Sequence, residues 1–328
     1  MITIAEANEH MGSIEMFFEL YHNELTPSKT YDVRLATLRR EQGKFQRNLE
    51  KEKELTIEIT SNCDLRCIFC SSEAGPSCSS YMSPEEVQEA LDEFPDFKKI
   101  RLSGGEPFKH PQLIDILELL KKSQRRVEIL TCGIAYGKPL EIEVLKSSKP
   151  YISNLVFSLQ GYGDLHDSIV QPDITEGQYW QSLMTSIKRT VSCRIPHSYH
   201  TVLLSTNFDS LEDIAINIGR FRDIIFLQSH YRRLYCPVNW HLLRFVKQGR
   251  GAHHPELALT TQQLEALPGL VEQFRNKFLN ITYSNSFEAK QCDCSTRKAV
   301  VLHDGTRIGC SALKYSPKSG RFACQDRI

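Results

Sequence analysis

The chain has 328 residues, enough for one large domain with an appendage or for two middling ones, and at 41% hydrophobic and 24% charged residues it has the composition of a folded globular protein. Its 40 Lys and Arg balance 40 Asp and Glu, so no net field draws it to nucleic acid or to anionic lipid. No run approaches eighteen apolar residues, and Met1 to His10 lacks the basic-then-apolar order of a signal peptide, so a cytoplasmic protein without a membrane span is expected.

Residues 1–54 are rich in charge, most of all from Arg39 to Glu54, and carry two helical patterns around Ile14–His22 and Asp32–Asn48. They are expected to form a helical extension, either capping the domain that follows or recognising a partner or leader peptide. From residue 55 on, short apolar or β-branched runs alternate with amphipathic helical patterns, the rhythm of repeated βα units. Strands are predicted at Leu55–Thr60, Ile100–Ser103, Val127–Thr131, Leu155–Leu159, Thr201–Ser205 and His241–Val246. Between the first two, Ser83, Pro84 and Glu86 spell a capping box ahead of the apolar face Val87, Ala90, Leu91 and Phe94. Further helices are predicted from Pro111, with Leu113, Ile116, Leu117 and Leu120 inward, and after Ser210, with Ile214, Ile218 and Phe221 inward. Six such strands predict an α/β fold in the form of an open, partial barrel. The boundaries expected are 1–54 for the extension, 55–251 for the barrel, and 252–328 for a linker helix with a cysteine-rich subdomain.

Eleven cysteines cannot all pair, which favours metal or redox chemistry over a disulfide framework. Cys63, Cys67 and Cys70 follow the first strand with three and two residues between them. Three thiolates on one loop suit a [4Fe-4S] cubane with one iron left open. A structural zinc site would need a fourth ligand nearby, and Cys78, the nearest, lies at a spacing unlike the usual zinc patterns. At the end of the second strand stands Gly104-Gly105-Glu106-Pro107, where two glycines let backbone approach a ligand and the proline stiffens the exit. Ligands of parallel βα folds gather at that end of the strands. Phe226 to Trp240 mixes aromatic and basic residues in the manner of a nucleic-acid surface, but the neutral charge favours an ordinary amphipathic edge.

The triad, placed on the loop after the first strand, resembles the signature of the radical S-adenosylmethionine (SAM) superfamily, whose fold is a partial (βα)6 TIM-type barrel. The resemblance implies that SAM chelates the open iron, and that one electron from the cluster releases a 5'-deoxyadenosyl radical. It implies that Gly104, Gly105, Glu106 and Pro107 hold the SAM amino group, and that Phe69 shields the cluster. By the same resemblance Ser158 and Asn207 contact the SAM carboxylate or ribose, with Gln160 standing where an Asp is usual, and Arg244 and Arg250 approach the adenine and ribose. Cys132, in Thr131-Cys132-Gly133 where the family more often reads Thr-Asn-Gly, is either a buried structural thiol or a catalytic residue that touches substrate or donates a hydrogen atom.

Towards the C-terminus, Cys294, ten residues, Gly305, four residues and Cys310 resemble the start of the auxiliary-cluster domain of twitch and SPASM radical enzymes. Lys298 to Ile308 reads as a hairpin with Asp304-Gly305 at its turn, a small twitch extension. With Cys292 and Cys324 the thiols number four, the set for an auxiliary [4Fe-4S] cluster; zinc or unligated thiols are the alternatives. The reaction expected is hydrogen abstraction from a ribosomally made peptide or a protein side chain, with flavodoxin or ferredoxin as electron donor. A small-molecule rearrangement similar to the molybdenum-cofactor GTP cyclase is the second reading, and a non-catalytic metal-binding protein the third.

Overall fold

Strands of a parallel sheet are ordinarily apolar on both faces, because helices cover both. Here they alternate, and the alternation positions the site. The computed structural model describes residues 52–170, 179–228, 239–275, 280–283 and 297–311. The expected N-terminal helices, Cys292, Cys294 and Cys324 lie outside the described residues.

Strand β1 (Glu54–Thr60) buries Leu55, Ile57 and Ile59 on one face and turns Glu54, Thr56, Glu58 and Thr60 to the other. Strands β2 (Lys99–Gly104), β3 (Arg126–Thr131), β4 (Asn154–Ser158), β5 (His197–Leu203) and β6 (Asn239–Arg244) follow, each parallel to its predecessor. A seventh, β7 (Asn280–Tyr283), adds beyond β6, and β8 (Lys298–Val301) adds in parallel beyond β1 with β9 (Arg307–Ile308) antiparallel on it. The order across the sheet is therefore β9-β8-β1-β2-β3-β4-β5-β6-β7. Among the described residues its two edges do not pair, so the barrel is open.

The outer face packs on helices α1 (Pro84–Glu93), α2 (Leu113–Lys122), α3 (Ile142–Ser148), α5 (Tyr179–Ser192), α6 (Leu211–Gln228) and α7 (Thr261–Arg275), while α4 (Asp164–Val170) lies ahead of α5. The capping box at α1 forms as expected: Ser83 Oγ accepts from Glu86 N at 3.2 Å, and Ser83 N donates to Glu86 Oε2 at 2.7 Å. Val87, Ala90 and Leu91 of α1 and Leu113, Ile116, Leu117 and Leu120 of α2 join the strand residues in one core, each large aliphatic side chain contributing roughly 1.5–3 kcal/mol by burial.

The inner face is polar towards the N-terminal ends of the strands and turns apolar further along, at Leu130, Val156, Val202 and Leu243. Arg101 Nη1 donates to Glu54 and Arg101 Nε to Glu128, each at 2.9 Å, and Lys99 Nζ reaches the same two carboxylates at 3.1 and 3.0 Å. Asn154 donates to Ser198 at 2.8 Å, and His241 meets Thr282 at 2.7 Å. These groups close the N-terminal end of the strands with paired charge and hydrogen bonds instead of an apolar plug.

Five of the six predicted barrel strands begin within two residues of their expected starts. The fifth begins at His197 instead of Thr201, because Ser198 and His200 belong to the polar inner face and only Tyr199, fully buried beside Phe157, looks like core. The hairpin at 298–308 forms with Gly305 at φ 83 in its turn, and its first strand extends the main sheet beside β1.

Candidate active site

The loop leaving β1 carries the three cysteines and is tied down along its length. Cys63 N donates to Gly75 O at 3.2 Å, Arg66 N to Val170 O at 3.2 Å and Ile68 N to Ile169 O at 3.1 Å, so the loop lies across the end of α4. Cys63 packs with Leu65, Ala74, Ile134, Val170 and Tyr179, and Cys67, Cys70 and Cys132 lie against the same apolar floor. Leu65 N donates to Cys63 Sγ at 3.4 Å, a bond that would stabilise a ligating sulfur. Burial first, and then the neighbouring Cys70 and Cys63, push the Cys67 thiol well above its ordinary pKa, against the pull of Arg250. A site that resists free thiolates in this way suits them once a cationic metal centre balances their charge. Among the described residues no three Cys, His, Asp or Glu side chains converge on one ion. A cubane requires no such convergence, since each of three sulfurs takes a different iron.

Gly104 to Pro107 interlock with this loop. Gly105 N donates to Thr60 O at 2.6 Å and Glu106 N to Asn62 O at 2.7 Å. The approach is so close that a Cβ on Gly105 would stand 2.0 Å from Asn62 O, and one on Gly104, which has φ 120, would stand 2.1 Å from Thr60 O. The Glu106 side chain turns away to the end of β3: its carboxylate accepts from Phe108 N at 3.1 Å, Thr131 Oγ1 at 2.8 Å and Cys132 N at 2.7 Å. Burial raises its pKa to about 7 against those donors.

Cys132 thereby sits on the same apolar floor as the three cysteines, with Sγ 3.4 Å from Ile134 O. Ser158 ends β4 on the inner face, paired across to His200. Asn207 is fully buried; its amide nitrogen donates to Gln160 O and Val202 O, both at 2.9 Å, and its oxygen accepts from Leu204 N at 2.8 Å. All its described bonds are to backbone, shaping the turn after β5. Gln160 accepts through its side-chain oxygen from Val202 N at 2.9 Å. Arg244 ends β6 on the face of Trp240 and Leu242, and burial lowers its pKa. Arg250 points to the cysteine loop, with Nε 3.0 Å from Cys67 O and Nη2 2.7 Å from Ala74 O. Phe69 packs beside Ile169, Leu204, Phe245 and Leu257. Cys310 follows β9 and is half-buried, and the next residue, Ser311, accepts at its carbonyl from Gln248 Nε2.

Two features of the site are absent from the sequence reading. Asp64, beside Cys63, forms an ion pair with Lys109, and its second oxygen accepts from Gly137 N at 3.0 Å. The short hairpin at Ile134–Ala135 and Lys138–Pro139 presents Tyr136 with its hydroxyl 3.2 Å from Lys109 O. The spacing of Asp64 from the triad was visible, but its partner depends on the strand β2 exit.

Residues 57–216 match the model of the radical SAM superfamily. These residues, just under half of the chain, form a radical SAM domain. It is 30% identical over 115 residues, 34% of its own length, to the antilisterial bacteriocin subtilosin biosynthesis protein AlbA of Bacillus subtilis, and covers 25% of that protein. It is 28% identical over 190 residues, 56% of its own length, to a probable GTP 3',8-cyclase of Methanocaldococcus jannaschii, and covers 60% of that protein. The chain thus spans less than two thirds of either relative. Among solved structures it is similar to Streptococcus suis SuiB bound to SAM, with TM-score 0.62 at 15% identity over 95% of this chain and 73% of that one. The same protein bound to its precursor peptide SuiA gives TM-score 0.59 at 15% identity, over 98% of this chain and 76% of that one. Radical SAM proteins bind a [4Fe-4S] cluster and SAM, and the three thiols on a tied-down loop beside Gly104 and Gly105 fit such a pair.

Proposed function

We propose that this chain is a radical SAM enzyme that abstracts a hydrogen atom from a ribosomally made peptide or a protein side chain. The observation that carries the reading is the three-cysteine loop interlocked with Gly104 to Pro107 at the C-terminal ends of the strands. When bound, the reduced cluster and SAM supply the radical chemistry. The protein's own part is to orient and to exclude water. Cys63, Cys67 and Cys70 hold the cluster, Gly104 to Pro107 with Ser158 bound the space for SAM, and Cys132 faces the reacting end as a substrate contact. The likeness to AlbA and to the SuiB fold supports a peptide substrate. The likeness to a GTP 3',8-cyclase over 56% of this chain makes GTP the competing substrate. Cys310, with Cys292, Cys294 and Cys324, is assigned to an auxiliary cluster, and a flavodoxin or ferredoxin is the electron donor proposed.

The test is anaerobic reconstitution with iron, sulfide and a reductant. Formation of 5'-deoxyadenosine, lost in the Cys67→Ser variant, supports the enzyme; a zinc-containing protein that never cleaves SAM defeats it. A short precursor peptide that accelerates cleavage supports the substrate class, whereas acceleration by GTP alone moves the protein to the nucleotide branch.

A further inference from the structure

The cysteine loop is gripped by a residue far along the chain. Arg250, 183 residues after Cys67, donates from Nε to Cys67 O at 3.0 Å and from Nη2 to Ala74 O at 2.7 Å. Its backbone N–H donates to Cys70 O at 3.0 Å. One residue therefore holds three carbonyls of the loop, two of them belonging to cysteines of the triad. The approach requires Gly249, which has φ 56 and whose Cβ would stand 2.5 Å from Cys70 O and 2.8 Å from Ser71 O. All three acceptors are neutral carbonyls, so the guanidinium brings a positive charge to the loop with no carboxylate among these bonds.

Hydrogen bonds that orient ligands change metal retention, and a charge beside a cluster changes its reduction potential. We propose that Arg250 is a positioning residue that holds the cysteine loop in its ligating form and favours reduction of the cluster. This rests on the assignment of Cys63, Cys67 and Cys70 as cluster ligands. It makes the cysteine loop depend on the segment that follows β6. The fork geometry matters as well as the charge, because a lysine cannot bind Cys67 and Ala74 in the same planar arrangement.

The experiment uses the full chain, wild type and Arg250→Lys, Arg250→Gln and Arg250→Ala, reconstituted anaerobically. Iron and sulfide content, loss of iron to a chelator, circular dichroism and a redox titration followed by electron paramagnetic resonance without SAM are measured. In Arg250→Gln and Arg250→Ala, iron is expected to leave about tenfold faster. The reduction equilibrium should shift about tenfold against the reduced form, close to ~59 mV for one electron. Arg250→Lys should restore the potential but not the resistance to chelator, which a general loss of stability would not separate. If Arg250→Ala fails to fold, the Lys and Gln variants decide between charge and geometry. Variants that match a cluster-bearing wild type in both retention and potential overturn the inference alone. A wild type that takes up no cubane overturns the cluster assignment, and this inference with it.

Discussion

Replacing Glu106 by Gln is the sharpest test of how the second strand's exit supports the site. The carboxylate accepts three bonds, from Phe108 N, Thr131 Oγ1 and Cys132 N. Gln can keep Oε1 on Phe108 and Thr131, but its NH2 then faces the Cys132 N–H, donor against donor. One orphaned buried donor costs about 2 kcal/mol, and at about 2–4 °C per kcal/mol the melting temperature at pH 4.5 should fall by roughly 4–8 °C. Glu106→Ala orphans all three donors and should fall further. A second signature is pH. Burial raises the Glu106 pKa from 4.5 to about 7, so its contribution is fully present below pH 4.5 and is lost as pH rises through about 7. At 1.36 kcal/mol per pH unit this amounts to about 3 kcal/mol, and the Gln variant should lack that slope. Thermal melts of both proteins from pH 4.5 to 8 measure the difference. A Gln variant that melts with the wild type at every pH, and an Ala variant no weaker than Gln, would refute the role of the carboxylate as the brace between β2 and β3.

Other outcomes are expected elsewhere. Burial alone would raise Glu54, yet Arg101 and Lys99 hold its pKa down at about 2, so its stabilisation is present above pH 4.5 and lost as pH falls towards 2, about 3 kcal/mol in all. Arg101→Met should cost about 3 kcal/mol at neutral pH, seen as a lower denaturant midpoint, and should flatten that acid limb. Gly105→Ala places a methyl group 2.0 Å from Asn62 O, so the loop must shift, and iron uptake on reconstitution should drop about tenfold; normal iron content would show that the interlock does not shape the cluster loop. Cys132→Ala should keep its iron and still cleave SAM while losing coupling to product, as measured by the ratio of product to 5'-deoxyadenosine; full turnover to the same product rules out a substrate contact.

What the sequence made legible follows from how local each signal is. The cysteine spacing, the Gly104–Pro107 string and the Ser83 capping box are each readable within a dozen residues, and the structure places the first two against one another. The strand starts were readable where apolar residues dominate. They failed at β5, because a strand lining a polar interior shows only its outer residues, Tyr199 and Thr201, as core. The hairpin after β3 carries no Asn-Gly or Asp-Gly turn, and Tyr136 adopts φ 56, a conformation that propensity assigns to other residues. The resemblance places Arg250 near the cofactor's adenine and ribose, since nothing in a linear pattern reveals that Gly249 brings it back onto Cys67 and Cys70.

These failures share a cause that bears on function. Each missed contact joins the cysteine loop to a distant segment: Asp64 to Lys109, Cys67 and Cys70 to Arg250, and Ser80 Oγ to His303 O at 3.1 Å. A cluster loop held only by its own turns would move with every fluctuation of an open barrel. One bound from the β2 exit, from the segment after β6 and from the hairpin on β8 is fixed relative to the strands of the sheet. Hydrogen-atom abstraction needs the reacting atoms held within a few tenths of an ångström, and effective molarity is lost quickly when they are not. The Glu54–Arg101–Glu128 ties lie at the opposite end of the strands from the cysteines. The ties that stabilise the sheet and the contacts that shape the cysteine loop are thus borne by different residues, which is why Arg101→Met is expected to weaken the fold while leaving iron content unchanged, whereas Gly105→Ala is expected to lower iron uptake.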